Sequence, residues 1–169
     1  MRCLMAENQR RAILAELGPN DSLTEWGSGG SSVWFAENMT QGQSLYSIEH
    51  DRQWFQRMVE IREARQLWHW HPVYFRVNHE GKNATPAEEC PAGAFHYITK
   101  IPVAGVVLVD GIARGACLAT LAAMRFPGVV FLHDANRDWY EWATSLFSKR
   151  QIIKATTGDY PPDLLRLEL

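Results

Sequence analysis

The sequence predicts an α/β fold: a doubly wound, mostly parallel seven-stranded sheet that ends in an antiparallel C-terminal strand pair. Apolar runs of strand length alternate with helical patterns along most of the 169 residues. One run, "AGVVLVDG" at residues 104–111, is almost unbroken, which is typical of a parallel strand covered on both faces. The last two strand-like segments have no helix between them and should pair antiparallel. No linker or repeat divides the chain, so residues 1–169 are expected to form one domain.

The first half of the chain contains three predicted strands. An amphipathic first helix ends at Gly18-Pro19, and Ser31 or Ser32 is suited to cap the helix after the first strand. Asp51 can cap the next helix, which extends to about Gln66. The three strands are residues 22–26, 43–48 and 72–77, and a long irregular loop follows at residues 78–96.

The second half repeats the alternation. A helix over residues 113–124 is predicted between strands at 104–111 and 127–134. A helix over residues 137–149 then precedes the two terminal strands, at 151–156 and 164–169.

Charge and cysteine content restrict the partners and the compartment. The formal net charge is −2, and the arginines of residues 52–65 are interleaved with Glu60 and Glu63, so no nucleic-acid partner is expected. No run approaches the ~20 apolar residues of a membrane span, so no membrane partner is expected either. The first 18 residues carry charges throughout, unlike a signal peptide. Three cysteines without Cys-x-x-Cys spacing favour a reducing cytoplasm.

Acidic side chains end several of the predicted strands. Glu25, Glu49 and Asp110 lie at the carboxyl ends of the first, second and fourth strands, and His133-Asp134 lies at that of the fifth. Ligands of open α/β sheets bind outside the carboxyl ends of the strands. We therefore expect these side chains to surround one site.

The segment "GSGGSS", residues 27–32, separates the first strand from a helix. Glycine lets the backbone approach a ligand closely, and the helix start offers free N–H groups to an anionic ligand group. Glu49 lies 22 residues after Gly27, near the spacing at which an acid binds ribose hydroxyls. A dinucleotide and S-adenosylmethionine both fit this pattern, but Ser32 stands where the dinucleotide fingerprint G-x-G-x-x-G has its third glycine.

Four segments resemble class I S-adenosylmethionine-dependent methyltransferases. The first two motifs of that superfamily are similar to "LTEWGSGGSS" and "YSIEHD" in this chain. The fourth- and fifth-strand segments of its small O-methyltransferase-like branch are similar to "VVLVDGIARGACLA" and "GVVFLHDANRDWY". The resemblance covers residues 22 to the end, is weakest at 66–103, and implies a Rossmann-like methyltransferase fold.

The resemblance also implies roles in cofactor binding. Glu25 would hold the amino group of S-adenosylmethionine, directly or through water, and Glu49 would bind both ribose hydroxyls. His50 would lie against the adenine. The other implied cofactor residues are Gly27, Ser28 and Gly29 under the methionine part, Ser31 at the third small position of the loop, and Asn78 or Glu80 at the adenine edge.

For catalysis, the candidates are Asp110, His133 and Asp134, one of which would take the proton of the acceptor. Phe95, His96 and Tyr97 are candidates for contacts with the acceptor, which is expected to be a small-molecule or sugar-like hydroxyl. The resemblance implies that Asp110 lies below the transferring methyl group. Asp110 and Asp134 also match two ligands of the metal-dependent branch, so Mg²⁺ is a candidate cofactor, although Ala135 replaces that branch's asparagine.

Three alternatives limit these roles. Asp110 and Asp134 are also suited to cap the helices that follow them, and Arg114 to bridge the two carboxylates. A nicotinamide-dependent oxidoreductase has a similar architecture. A non-catalytic cofactor-binding module would keep the glycine loop without an acceptor site.

Overall fold

The computed structural model describes residues 3–77, 95–99, 105–156 and 163–169, and its seven strands form one sheet. The strands are β1 (Ser22–Trp26), β2 (Ser44–Glu49), β3 (Trp70–Tyr74), β4 (Val106–Val109), β5 (Val129–His133), β6 (Lys149–Ile153) and β7 (Leu164–Glu168). Their order in the sheet is β3-β2-β1-β4-β5-β7-β6. Strands β1 to β5 run parallel, whereas β7 pairs antiparallel with β5 and β6. The predicted sheet is therefore confirmed.

The described part of the chain also contains six helices. They are α1 (Glu7–Leu14), α2 (Gly30–Asn38), α3 (Arg52–Ala64), α4 (Phe95–Thr99), α5 (Arg114–Ala123) and α6 (Glu141–Thr144). A 3₁₀ turn, Asp138–Tyr140, leads into α6. Among the residues described, no helix combines the length and apolar character that a membrane span needs.

The core lies on both faces of the sheet. On β4, Val107 and Val109 belong to one buried cluster, and Val106 and Leu108 belong to the other. A strand buried on both faces must be apolar at every position, which explains the unbroken run in the sequence.

The strand order places the topological switch point between β1 and β4. The chain moves from β1 outward to β2 and β3, then returns to the other side of β1 with β4. The connections on the two sides of this point diverge, which leaves a crevice at the carboxyl ends of the strands.

The predicted helix over residues 137–149 is wrong in its length. After Thr144 the backbone forms i→i−3 bonds, from Leu146 N to Ala143 O and from Phe147 N to Thr144 O. Lys149 already pairs with Glu168 of β7, so the helical turns must end before it. Strand β6 accordingly begins two residues earlier than predicted.

Other element boundaries also differ from the predictions. Helix α1 is shorter than the amphipathic pattern, and β3 begins at Trp70 because that residue pairs with Leu45 of β2. Pro72 is compatible with β3 because the strand lies at the sheet edge. Helix α4 begins within a segment predicted as loop.

The N-cap of α2 also differs. Gly29 occupies the cap position instead of Ser31 or Ser32, and the Ser32 hydroxyl accepts a hydrogen bond from Gly29 N at 2.8 Å. In α3, the predicted cap is confirmed, since Asp51 Oδ1 accepts from Trp54 N at 2.8 Å.

Candidate functional site

A cavity of 860 Å³ opens at the carboxyl ends of β1, β2 and β4. This volume is within the range of ~300–1,000 Å³ that small-molecule sites occupy. The predicted residues that line it are Gly27, Ser28, Gly29, Ser31, Glu49, His50 and Asp110. The lining residues that the sequence did not indicate as ligand contacts are Leu4, Met5, Gly30, Asp51, Gln53, Trp54, Arg57 and Gly111.

Glycine is required at position 27 by the fold itself. Gly27 has a φ of 92°, and a Cβ atom there would lie 2.5 Å from Gly111 Cα. The loops after β1 and β4 therefore pack backbone against backbone. The contact with Gly111 therefore requires glycine at position 27 whether or not a ligand approaches the loop.

Gly29 is the glycine that faces open space. A Cβ atom at this position would have no neighbouring atom within 4 Å, and Gly29 lines the cavity in extended backbone, with φ at −176°. The absence of a side chain here leaves the cavity open beside the start of α2.

The Glu49 carboxylate lies on the cavity wall and is 3% exposed. Its Oε2 accepts hydrogen bonds from the backbone N and the hydroxyl of Ser28, at 2.9 and 2.8 Å. Its Oε1 accepts from the backbone N of His50 and of Asp51, at 2.8 and 2.9 Å. Burial opposes ionisation of Glu49, but the bonds from His50, Asp51 and Ser28 outweigh it and lower the pKa.

His50 and helix α3 also contribute to the cavity wall beside Glu49. The His50 ring lies with Nδ1 2.9 Å from Glu49 Oε1, and its side chain is 23% exposed. The indole N–H of Trp54 donates to the Ser28 carbonyl oxygen, so α3 holds the glycine loop from outside.

Glu25 lies beneath the cavity and is not among its described lining residues. It is fully buried in β1, directly opposite Ser47 of β2, whose hydroxyl donates to Glu25 Oε1 at 2.6 Å. Glu25 Oε2 has no hydrogen-bond partner among the described atoms. Burial raises the pKa of Glu25 to about 8, and the Asp110 and Glu49 carboxylates add to the effect.

Beyond β4 and β5, Asp110, His133 and Asp134 form one cluster around Arg114. One ligand atom from each of the three lies within 4.8 Å of the others. Asp110 Oδ1 is 2.9 Å from His133 Nδ1 and 3.3 Å from Arg114 Nη2. Asp134 Oδ2 accepts from Arg114 Nη1 at 3.1 Å and from Arg137 Nη2 at 2.9 Å. The two carboxylates therefore lie close together, although only Asp110 is on the described lining of the cavity.

Asp110 is the member of this cluster that reaches the cavity. It is on the described lining, whereas His133 is 4% exposed and its Nε2 atom is sealed from solvent. The alternative in which Asp110 caps α5 is excluded, because Ala113 occupies the N-cap position with a φ of 53°. His133 therefore contacts the Asp110 carboxylate without lining the cavity itself.

The cluster does not fit Mg²⁺. Arg114 is 9% exposed, and its guanidinium contacts both carboxylates that would hold the ion. Burial alone would lower the pKa of Arg114, but Asp110 and Asp134 raise it, so the guanidinium stays charged. A divalent cation would have to displace a buried cation that also bonds the backbone carbonyls of Asp110, Gly111 and His133.

Several predicted contacts do not reach the cavity or lie outside the described residues. Tyr97 is fully buried, and its carbonyl oxygen accepts from the Trp26 indole at 2.8 Å, so it supports β1 instead of lining the cavity. Asn78 and Glu80 lie outside the described residues, as does the side chain of Phe95.

Comparison with solved structures identifies the fold. TrmN from Thermus thermophilus is similar over 95% of this chain and 48% of its own, with 15% identity and a TM-score of 0.65. This chain thus spans about half of the TrmN chain. Precorrin-6y C5,15-methyltransferase from Geobacter metallireducens covers 98% of this chain and 88% of its own, with 14% identity and a TM-score of 0.62.

Fibrillarin from Aeropyrum pernix, solved with S-adenosyl-L-methionine bound, matches 95% of this chain and 76% of its own, at 11% identity and a TM-score of 0.61. The tRNA methyltransferase TrmK from B. subtilis also matches, at 11% identity and a TM-score of 0.57. No protein-family model and no curated protein matches the sequence. The chain therefore has the Rossmann-like fold of class I S-adenosylmethionine-dependent methyltransferases.

Proposed function

We propose that the protein binds S-adenosylmethionine in the 860 Å³ cavity and transfers its methyl group to a hydroxyl acceptor. The observation that carries the proposal is the lining itself: the glycine loop, the Glu49 carboxylate and Asp110 surround one volume. The glycine loop lets the backbone approach the ligand closely, and Glu49 would accept hydrogen bonds from the ribose hydroxyls. Asp110 would lie beside the methyl group that is transferred. The cofactor supplies a methyl group on a positively charged sulfur.

We assign to Asp110 the role of accepting the proton from the acceptor hydroxyl. Methyl transfer to a hydroxyl breaks the sulfur–carbon bond, forms an oxygen–carbon bond and releases the hydroxyl proton. The Asp110 carboxylate lines the cavity and can accept that proton or orient the hydroxyl. His133 Nδ1 and Arg114 Nη2 hold the Asp110 oxygen in place at 2.9 and 3.3 Å. They are positioning residues, because neither is among the described lining residues.

A small-molecule or sugar-like hydroxyl is our first candidate acceptor. The chain carries no basic stripe, and its formal net charge is −2. Cys3 and Cys117, the two cysteines among the described residues, are not joined in a disulfide, which fits the cytoplasmic location that we propose with it.

An RNA acceptor is the second candidate, and a specific surface favours it. Trp139 and Trp142 are 38% and 57% exposed, and the Arg137 guanidinium lies 5.7 Å from the centre of the Trp139 ring. Aromatic rings beside arginine suit stacking on unpaired bases. This surface adjoins the cluster, because Arg137 also bonds Asp134. The structural similarity to a tRNA methyltransferase supports the same candidate.

Calorimetry tests the cofactor, and Gly29 provides the variant. Wild-type protein should bind S-adenosylhomocysteine and should not bind NAD. Gly29→Val should fold, because its side chain enters open space, but should lose S-adenosylhomocysteine binding since it fills the cavity. Gly105→Val is the matched control: an added Cβ makes only ordinary contacts there, at the opposite end of β4. NAD binding without S-adenosylhomocysteine binding would overturn the proposal.

Transfer of a labelled methyl group then separates the two acceptors. Small hydroxyl compounds and unmodified tRNA are offered to the same enzyme, with and without Trp142→Ala. Label on tRNA that depends on Trp142 would replace the small-molecule acceptor with the RNA acceptor.

A further inference from the structure

The Glu49 carboxylate is already saturated by its own chain. A carboxylate has about four sites for hydrogen bonds. Backbone and hydroxyl donors of Ser28 use those of Oε2, while the backbone N atoms of His50 and Asp51 use those of Oε1. A ligand hydroxyl can therefore bind this carboxylate well only if an existing donor leaves.

The donors differ in how easily they can leave. The N–H groups of His50 and Asp51 belong to the turn between β2 and α3, where Asp51 also caps the helix. The N–H of Ser28 is fixed by the loop, whose carbonyl is held by the Trp54 indole. The Ser28 hydroxyl, in contrast, turns away by rotation about a single side-chain bond. Of the donors to Oε2, it is the one that a ligand can displace at the lowest cost; the His50 ring, with Nδ1 2.9 Å from Glu49, contacts Oε1 instead.

We propose that the Ser28 hydroxyl competes with the diol of the bound nucleoside for Glu49 Oε2 and so limits the affinity of the site. The inference rests on the proposed function, because it takes a ribose-containing ligand as given. Removal of a side chain that contacts a ligand ordinarily weakens binding, and here the change in affinity should have the opposite sign. Removing a hydroxyl from the cavity wall should make binding tighter.

Ser28→Ala isolates the hydroxyl, because it leaves the backbone N–H bond to Glu49 intact. In wild type, a ligand hydroxyl can bond to the charged Glu49 carboxylate only after the hydrogen bond from the Ser28 hydroxyl is broken. In the variant that hydrogen bond does not exist, so the ligand hydroxyl binds without this cost. We expect Ser28→Ala to bind S-adenosylhomocysteine roughly fivefold tighter than wild type. Ser28→Gly should show the same gain and provides a second variant if the first is poorly folded.

The experiment is calorimetric titration with S-adenosylhomocysteine and with its 2′,3′-dideoxy analogue. The analogue lacks the competing hydroxyls, so its affinity should be the same in wild type and in Ser28→Ala. Ser145→Ala is the control: its hydroxyl bonds the Trp142 carbonyl at 2.8 Å on the exposed end of α6, and its loss should change neither affinity.

The outcomes separate this inference from the proposed function. If wild type binds S-adenosylhomocysteine and Ser28→Ala binds it equally or more weakly, the competition is refuted while the cofactor assignment stands. If both ligands gain equally, the hydroxyl acts on the loop and not on the diol, and the inference also fails. If wild type binds neither ligand, the proposed function falls and this inference falls with it.

Discussion

Glu25→Gln should remove a pH dependence that one buried carboxyl group gives the folded protein. Glu25 is fully buried, and its pKa of about 8 exceeds the ordinary value of 4.5. The native state therefore holds this proton over a range where the unfolded chain has released it. Stability from this group is fully present below pH 4.5 and is lost as pH rises toward 8.

The size of the effect follows from these two values. Each unit of pKa difference is worth ~1.36 kcal/mol, and integration from pH 5 to pH 8 gives a loss of about 3.5 kcal/mol in the free energy of unfolding. Glutamine keeps the shape and can still accept from the Ser47 hydroxyl, but it does not titrate. The stability of Glu25→Gln relative to wild type should therefore increase by about 3.5 kcal/mol across this range.

Urea unfolding at several pH values between 5 and 8 measures this difference directly. Subtracting the free energy of unfolding of wild type from that of the variant cancels, to first order, the contributions that other groups make to both proteins. Glu141→Gln is the matched control, since that side chain is 73% exposed and its difference from wild type should stay constant. A constant difference for Glu25→Gln as well would refute the argument from burial.

Two further predictions concern the loop and the acid at the cavity. Gly27→Ala should destabilise the protein by about 2 kcal/mol or more, because of its positive φ and the 2.5 Å approach to Gly111, whereas Gly29→Ala should cost little; chemical denaturation compares them. Asp110→Asn should stop methyl transfer while S-adenosylhomocysteine affinity stays within about tenfold, or ~1.4 kcal/mol, since Asn keeps the shape beside Arg114. Turnover that survives in Asp110→Asn, measured by product release, would exclude Asp110 as the proton acceptor.

The sequence allowed the sheet and the edge that holds the site to be predicted, for a physical reason. Strands buried on both faces are apolar throughout, so β4 and β5 are recognisable without any neighbour. Once those strands are placed, the residues that follow them must meet at one edge, as Asp110 and Asp134 do. Prediction of this edge needed no knowledge of side-chain packing.

Side-chain direction could not be predicted in the same way. In a strand covered on both faces, alternation gives no sign of which polar residue faces the cavity, so Glu25 was expected on the wall and lies beneath it. The contribution of α3 depends on how that helix packs against β2, which exposes Trp54 and Arg57 to the cavity. The short α6 depends on the pairing of Lys149 with β7, a contact between distant parts of the chain.

The charges at the cavity bear on which cofactor it can accept. Three carboxyl groups gather there, and the chain compensates each one differently: burial keeps Glu25 protonated, four hydrogen bonds satisfy Glu49, and Arg114 pairs with Asp110. A dinucleotide would bring a negatively charged pyrophosphate to the same glycine loop. The positive charges that could meet it are about half a charge at the start of α2 and the Arg57 guanidinium on the lining. S-adenosylmethionine instead brings a sulfonium and an ammonium group, which gain from the Glu49 and Asp110 carboxylates, whereas the protonated Glu25 adds no charge. The Glu49 and Asp110 carboxylates therefore favour the methyl donor over the nicotinamide dinucleotide.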